Sequence, residues 1–230
     1  MIFDPLYLLF MVPAFILSLV AQGLVKSSFS KYSKVGNRRG ITGAEAARRI
    51  LDSSGLSNVR IEPAQGRGLS DHYDPRTKVL RLSPDVYGKA SLASVGVAAH
   101  EAGHALQDSK GYTPLKLRSA LVPAAQLGST LAWPLLFLGM FLGVMGMVKL
   151  GVIFFSGAVL FQVVTLPVEF NASARAMRAL EGVGILSGDE LSGARRVLSA
   201  AALTYVAAAV TAVLQLFYFL LRSGLLGGDD

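Results

Sequence analysis

The sequence predicts a mainly α-helical integral membrane protein, a bundle of about four transmembrane helices joined to one small α+β domain. Three observations predict it. Hydrophobic residues make up 52% of the 230 residues, and the mean hydropathy is +0.50, above the usual level for a soluble domain. Four segments, 5–25, 119–148, 150–168 and 197–221, contain no Asp, Glu, Lys or Arg, and a bilayer core asks for ~20 apolar residues per helix. The only long polar stretch lies between the first two of them, at 26–118.

In chain order the expected parts are an N-terminal anchor at 1–25, a cytoplasmic domain at 26–118 and two spans at 119–168. A second cytoplasmic segment at 169–196 and a fourth span with its tail at 197–230 complete the chain. A secretory signal is the alternative for the first segment. Such a signal has basic residues before its apolar core, whereas only Asp4 precedes this one and Lys26, Lys31, Lys34, Arg38 and Arg39 follow it. The segment therefore reads as an uncleaved anchor with its N-terminus outside. Of the 22 Lys and Arg, sixteen lie within 26–118 and four within 168–202, which the positive-inside rule assigns to the cytoplasmic face. The formal charge of +7 then concerns anionic lipid headgroups of the bilayer. Basic residues scattered without interleaved aromatics argue against nucleic acid as a partner. The absence of cysteine excludes a disulfide framework and thiolate metal ligands, and fits a reducing compartment.

Within the polar stretch, 27–40 is rich in Ser, Lys and Arg and reads as a membrane-proximal linker. Thr42-Gly-Ala-Glu45 is a capping pattern, and Ala44, Ala47, Ile50 and Leu51 follow at helical spacing, so a helix is expected over 43–53, stopped at Gly55. Val59-Arg-Ile-Glu62 reads as a short strand, 65–69 and 70–78 as loops, and the alternating Val79-Leu-Arg-Leu82 as a second strand, either an edge for an extended peptide or part of a structural hairpin. Ser83-Pro-Asp85 then signals a helix start.

The next helix, expected over about 91–108, carries Ala98-Ala-His-Glu-Ala-Gly-His-Ala-Leu-Gln107, which contains His-Glu-x-x-His at His100, Glu101 and His104. Residues four apart share one helical face, so both imidazoles converge on one point and the neighbouring carboxylate reaches a water held there. This is a zinc hydrolase layout, in which a third protein ligand leaves one position open for water. With three His in the chain, chance yields the pattern roughly once in a thousand shuffles. Ala98, Ala99, Ala102, Gly103 and Ala105 are small, allowing a second element to approach closely.

The third ligand must lie on the same side of the membrane. Two further crossings return the chain there at Val168, and the first residue beyond it able to bind zinc is Glu169. Thr165 to Ala176 reads as a helix leaving the membrane, bent at Pro167, with Glu169, Ala172, Ser173 and Ala176 along one face. Glu181, Asp189 and Glu190 compete, but sit among Gly and Ser in an expected loop. His72, the remaining histidine, is open to three roles: ligand, oxyanion donor or exposed loop residue.

Taken with Asp71-His-Tyr-Asp-Pro75, Ser83-Pro-x-Val-Tyr87 and Val168-Glu-Phe-Asn-Ala-Ser-Ala-Arg-Ala176, the motif helix makes nearly the whole chain resemble the YugP-type membrane zinc metallopeptidases, relatives by mechanism of the HtpX-type membrane proteases. The resemblance implies a zincin-like catalytic domain on the cytoplasmic side of a bacterial plasma (inner) membrane. It also implies one zinc per chain on His100, His104 and Glu169, and a gluzincin-like endopeptidase acting on membrane or unfolded polypeptides. Glu101 is then the general base, with His72 or Tyr73 as possible oxyanion or substrate contacts. HtpX-type enzymes carry Asp four residues after the ligand Glu, where this chain has Ser173, so the resemblance does not extend to a carboxylate orienting a histidine from that position. A catalytically silent zinc-stabilised scaffold is the alternative. A transporter-like bundle is disfavoured by spans without ionisable residues.

Overall fold

A computed structural model describes residues 4–65 and 70–225. In chain order it has α1 (Pro5–Tyr32), α2 (Gly43–Ser53), β1 (Arg60–Pro63), β2 (His72–Asp74), β3 (Val79–Leu82), α3 (Pro84–Tyr87), α4 (Leu92–Ser109), α5 (Thr113–Leu142), α6 (Met145–Gly182) and α7 (Asp189–Arg222). Four of these, α1, α5, α6 and α7, are long and apolar enough to cross a membrane. The chain forms two units, one of Met1–Ala21, Lys116–Pro167 and Thr204–Asp230, the other of Gln22–Leu115 and Val168–Leu203.

In the first unit the apolar helices bury Ala132, Leu136, Val152, Phe155, Tyr218 and Phe219 against one another. The rings of Trp133, Phe155 and Phe219 meet pairwise at 5.9 Å, each pair edge to face. A side chain at Gly128 would place its Cβ 2.4 Å from the Phe154 carbonyl oxygen, so α5 and α6 meet backbone to backbone, as small residues allow between membrane helices. Outward-facing side chains stay apolar, with Phe15 63%, Ile153 66% and Phe141 87% exposed. Such a surface suits lipid, where the helix has already satisfied its own backbone polar groups.

The second unit grows from local signals. Thr42 accepts from the Glu45 amide while the Glu45 carboxylate accepts from the Thr42 amide, the reciprocal cap that starts α2. The buried face of α2 (Ala46, Ala47, Ile50, Leu51) packs on Val95, Ala98, Ala99 and Ala102 of α4. The sheet runs β1-β3-β2, with β1 parallel and β2 antiparallel to β3. Central β3 buries Val79, Leu80 and Leu82. Ala176, Met177 and Leu180 of α6 and Ala194 and Leu198 of α7 close the same core.

Several expectations shift. α1 runs to Tyr32, so part of the expected linker is helix. β2 lies inside the stretch 70–78 expected as loop, paired His72 to Arg81 and Asp74 to Val79. Of the expected loop 65–69, residues 66–69 fall outside the described residues. α6 continues through Pro167 to Gly182 and α7 begins at Asp189, so most of 169–196 is helical. Hydropathy marks where a helix stops being apolar, and helical hydrogen bonding continues past that point.

Candidate metal centre

The site lies between α4 and α6 in the second unit. α4 starts at Ser91, whose hydroxyl accepts from the Ser94 amide, and its small residues permit a close neighbour. At Gly103 a Cβ would stand 2.5 Å from the Ala172 carbonyl oxygen of α6, so the approach of the two helices requires glycine there. One helical turn apart, the His100 and His104 rings meet edge to face at 4.8 Å. From α6, Glu169 Oε2 lies 3.1 Å from His100 Nε2 and 3.7 Å from His104 Nε2.

The donor set fits zinc. Metal bonds of ~2.0–2.1 Å in a tetrahedron hold neighbouring ligand atoms about 3.3 Å apart, between the two separations seen here. One ligand atom from each of the three residues lies within 4.8 Å of the others, and among the described residues this is the one such group. His104 and Glu169 are buried and His100 half-buried. Burial alone pushes the Glu169 carboxyl up, but the hydrogen bond with His100 and the nearby His104 ring outweigh it and hold the carboxyl well below the usual range. Burial lowers His104, and the nearby carboxylates of Glu169 and Glu101 reverse this, leaving it above the ordinary histidine value. His104 and the Glu169 carboxylate thus favour each other's charged forms.

The remaining nitrogens are also held. His100 Nδ1 lies 3.1 Å from Ser173 Oγ, so the serine in place of the Asp of HtpX-type enzymes does contact a histidine. His104 Nδ1 lies 3.0 Å from Gln107 Oε1. Gln107 was not singled out by sequence reasoning, although its place three residues after His104 puts it on the same face. Glu101 is buried beside His100, and its charge is felt by both His104 and Asp71. Asp71, also missed, accepts from the Ser83 amide and hydroxyl at 2.7 and 3.1 Å. Its carboxyl is nonetheless raised, first by burial.

The other sequence candidates are engaged elsewhere. The Tyr73 hydroxyl donates to Asp108 Oδ2 at 2.7 Å, and Lys78 pairs with the same carboxylate. Burial, then that hydrogen bond, pushes the phenol up. His72 is exposed, with Nδ1 2.9 Å from the Ser70 carbonyl oxygen. Neither belongs to the metal-ligating group. Glu181 sits in the last turn of α6, while Asp189 and Glu190 open α7 instead of lying in the expected loop. Glu190 accepts from the Arg38 amide at 2.6 Å.

A protein-family profile described as "Putative neutral zinc metallopeptidase" matches residues 7–224. The chain belongs to this family. The zinc metallopeptidase family thus spans both the apolar helices and the polar domain. A relative in Bacillus subtilis (strain 168), named "Putative membrane protease YugP", is 50% identical over 217 residues, 94% of this chain and 96% of the relative. No solved structure matches significantly.

Proposed function

We propose that this protein is a membrane-embedded zinc endopeptidase of gluzincin type, with His100, His104 and Glu169 as ligands and Glu101 as general base. The observation that carries the reading is the convergence of two imidazoles and a buried carboxylate from α6 at separations suited to one zinc ion. The family and the membrane protease name of the relative support it. When bound, zinc supplies Lewis acidity towards the scissile carbonyl and the attacking water. Glu101, next to His100 on α4, takes the proton of that water and delivers it to the leaving amine. Glu169 and the histidines fix the position of the reacting groups, and the close contact of α4 with α6 limits solvent around them.

The substrate class that fits is polypeptide in extended form, at the cytoplasmic face of a bacterial plasma membrane. His72, exposed on β2, is the residue proposed to touch it. The test joins elemental zinc measurement on detergent-purified protein to cleavage of an unfolded protein substrate. The expected result is about one zinc per chain and cleavage abolished by chelator and restored by zinc. A folded protein that purifies and cleaves without metal overturns the proposal.

A further inference from the structure

We infer that Gln107 is the positioning residue for His104, and that a hydrogen-bond relay reaching Arg175 decides which imidazole nitrogen faces the metal. This rests on the metal-centre reading above. Gln107 is fully enclosed, at 0% exposure, on α4. The oxygen and nitrogen of a carboxamide are alike in shape, so its orientation follows from its partners. Here the partners leave no choice.

Gln107 Nε2 lies 2.8 Å from the Val168 backbone carbonyl oxygen, which only accepts. It also lies 3.1 Å from Asn171 Oδ1. That second oxygen is itself identified, because Arg175 Nε, which only donates, reaches it at 2.7 Å. Two independent ends therefore turn the amino group of Gln107 towards α6 and its oxygen towards His104 Nδ1, 3.0 Å away. An amide oxygen accepts, so Nδ1 carries the proton. With Nδ1 engaged as a donor, Nε2, the nitrogen nearest Glu169, is the atom left to face the metal.

Ser173 does not impose the same choice on His100, because a hydroxyl both donates and accepts. Gln107 also has a mechanical role. The amide that orients one ligand on α4 grips the backbone of α6 at Val168, one residue before the ligand Glu169, so orientation and spacing of two ligands depend on one side chain.

The test is zinc affinity by chelator competition on the full-length protein in detergent, for wild type, Gln107→Leu, Gln107→Glu and His104→Ala. Leucine removes the acceptor at similar volume, and glutamate keeps an oxygen for Nδ1. The expected result is a ~10- to 100-fold weaker zinc affinity in Gln107→Leu, with part of the loss recovered in Gln107→Glu, which restores the acceptor for Nδ1 but not the donor to Val168. Nitrogen-15 NMR of histidine-labelled, zinc-loaded protein should find His104 bound through Nε2 with its proton on Nδ1 in wild type, and altered His104 ring signals in Gln107→Leu. Unchanged zinc affinity in Gln107→Leu overturns the inference. So does an equal loss in both Gln107 variants with equally lowered metal-free melting temperatures, which marks a packing role only. Wild-type protein that binds no zinc removes the proposed function and this inference with it. If wild type binds zinc, His104→Ala does not, and Gln107→Leu binds normally, only this inference falls.

Discussion

Glu101 and His104 share the same buried stretch of α4, yet substitution should separate their roles. Glu101→Gln keeps side-chain shape and leaves every proposed ligand in place, so zinc should stay bound while turnover falls by at least ~10²- to 10⁴-fold. His104→Ala should lose the metal and the activity together. Near wild-type cleavage by the Gln variant, measured on zinc-replete protein, would remove Glu101 from the mechanism. Glu169 is examined the same way: Glu169→Ala should weaken zinc as strongly as His104→Ala. Glu169→Asp, one methylene shorter, should retain some zinc but lose activity, because productive geometry is held to about 0.5 Å. Glu181→Ala and His72→Ala should bind zinc like wild type, and loss of zinc in either would move the third ligand. How far these residues were legible follows from range. The histidine pair is a spacing within one turn, and Glu169 follows from counting membrane crossings. Gln107 and Asp71 escaped because their partners, Val168, Asn171 and Ser83, are visible only once the chain has folded.

Among the elements, the packing of α4 against α6 and α7 yields the sharpest contrast between two glycines. At Gly103 a Cβ would lie 2.5 Å from the backbone oxygen of Ala172, whereas at Gly96 the nearest atom is the Ala194 Cβ at 3.4 Å. Gly96→Ala should therefore be neutral or slightly stabilising, since alanine is favoured over glycine inside helices by ~1 kcal/mol. Gly103→Ala must push α6 away, and overpacking of this kind costs about 1–3 kcal/mol. It should also reduce zinc affinity, because the displaced helix carries Glu169. Equal melting temperatures and zinc contents for the two variants would show that the approach is not needed. The same contrast between local and distant causes explains which elements could be read. α2 lies where expected because its cap and its Gly55 stop are local. The short β2 has weak propensity and exists through its pairing with β3. α6 and α7 outrun their apolar stretches because Arg175, Arg178 and Arg195 are ordinary helix residues, whatever their effect on hydropathy.

At the scale of the whole molecule, the proposed orientation predicts labelling from outside the cell. The chain has no cysteine, so single cysteines report cleanly. Ser57, exposed after α2, should be shielded as Ser57→Cys from an impermeant thiol reagent in intact cells. Val144, 44% exposed in the turn between α5 and α6, should react as Val144→Cys. The reverse pattern inverts the protein in the membrane. Membrane character was legible because a bilayer demands long uncharged segments, a constraint that leaves its mark in composition alone. Sidedness rests on the basic residues flanking them. The distance along the chain between the proposed ligands also acts in time. His100 and Glu169 are 69 positions apart, with all of α5 between them. At about 5–20 residues per second of synthesis, roughly 3 to 14 s pass between their emergence. During that interval the nascent chain holds His100, Glu101 and His104 but not Glu169. The proposed endopeptidase is thus unarmed while it is itself unfolded, and acquires its complete donor set only after α1, α5 and the apolar part of α6 have been made.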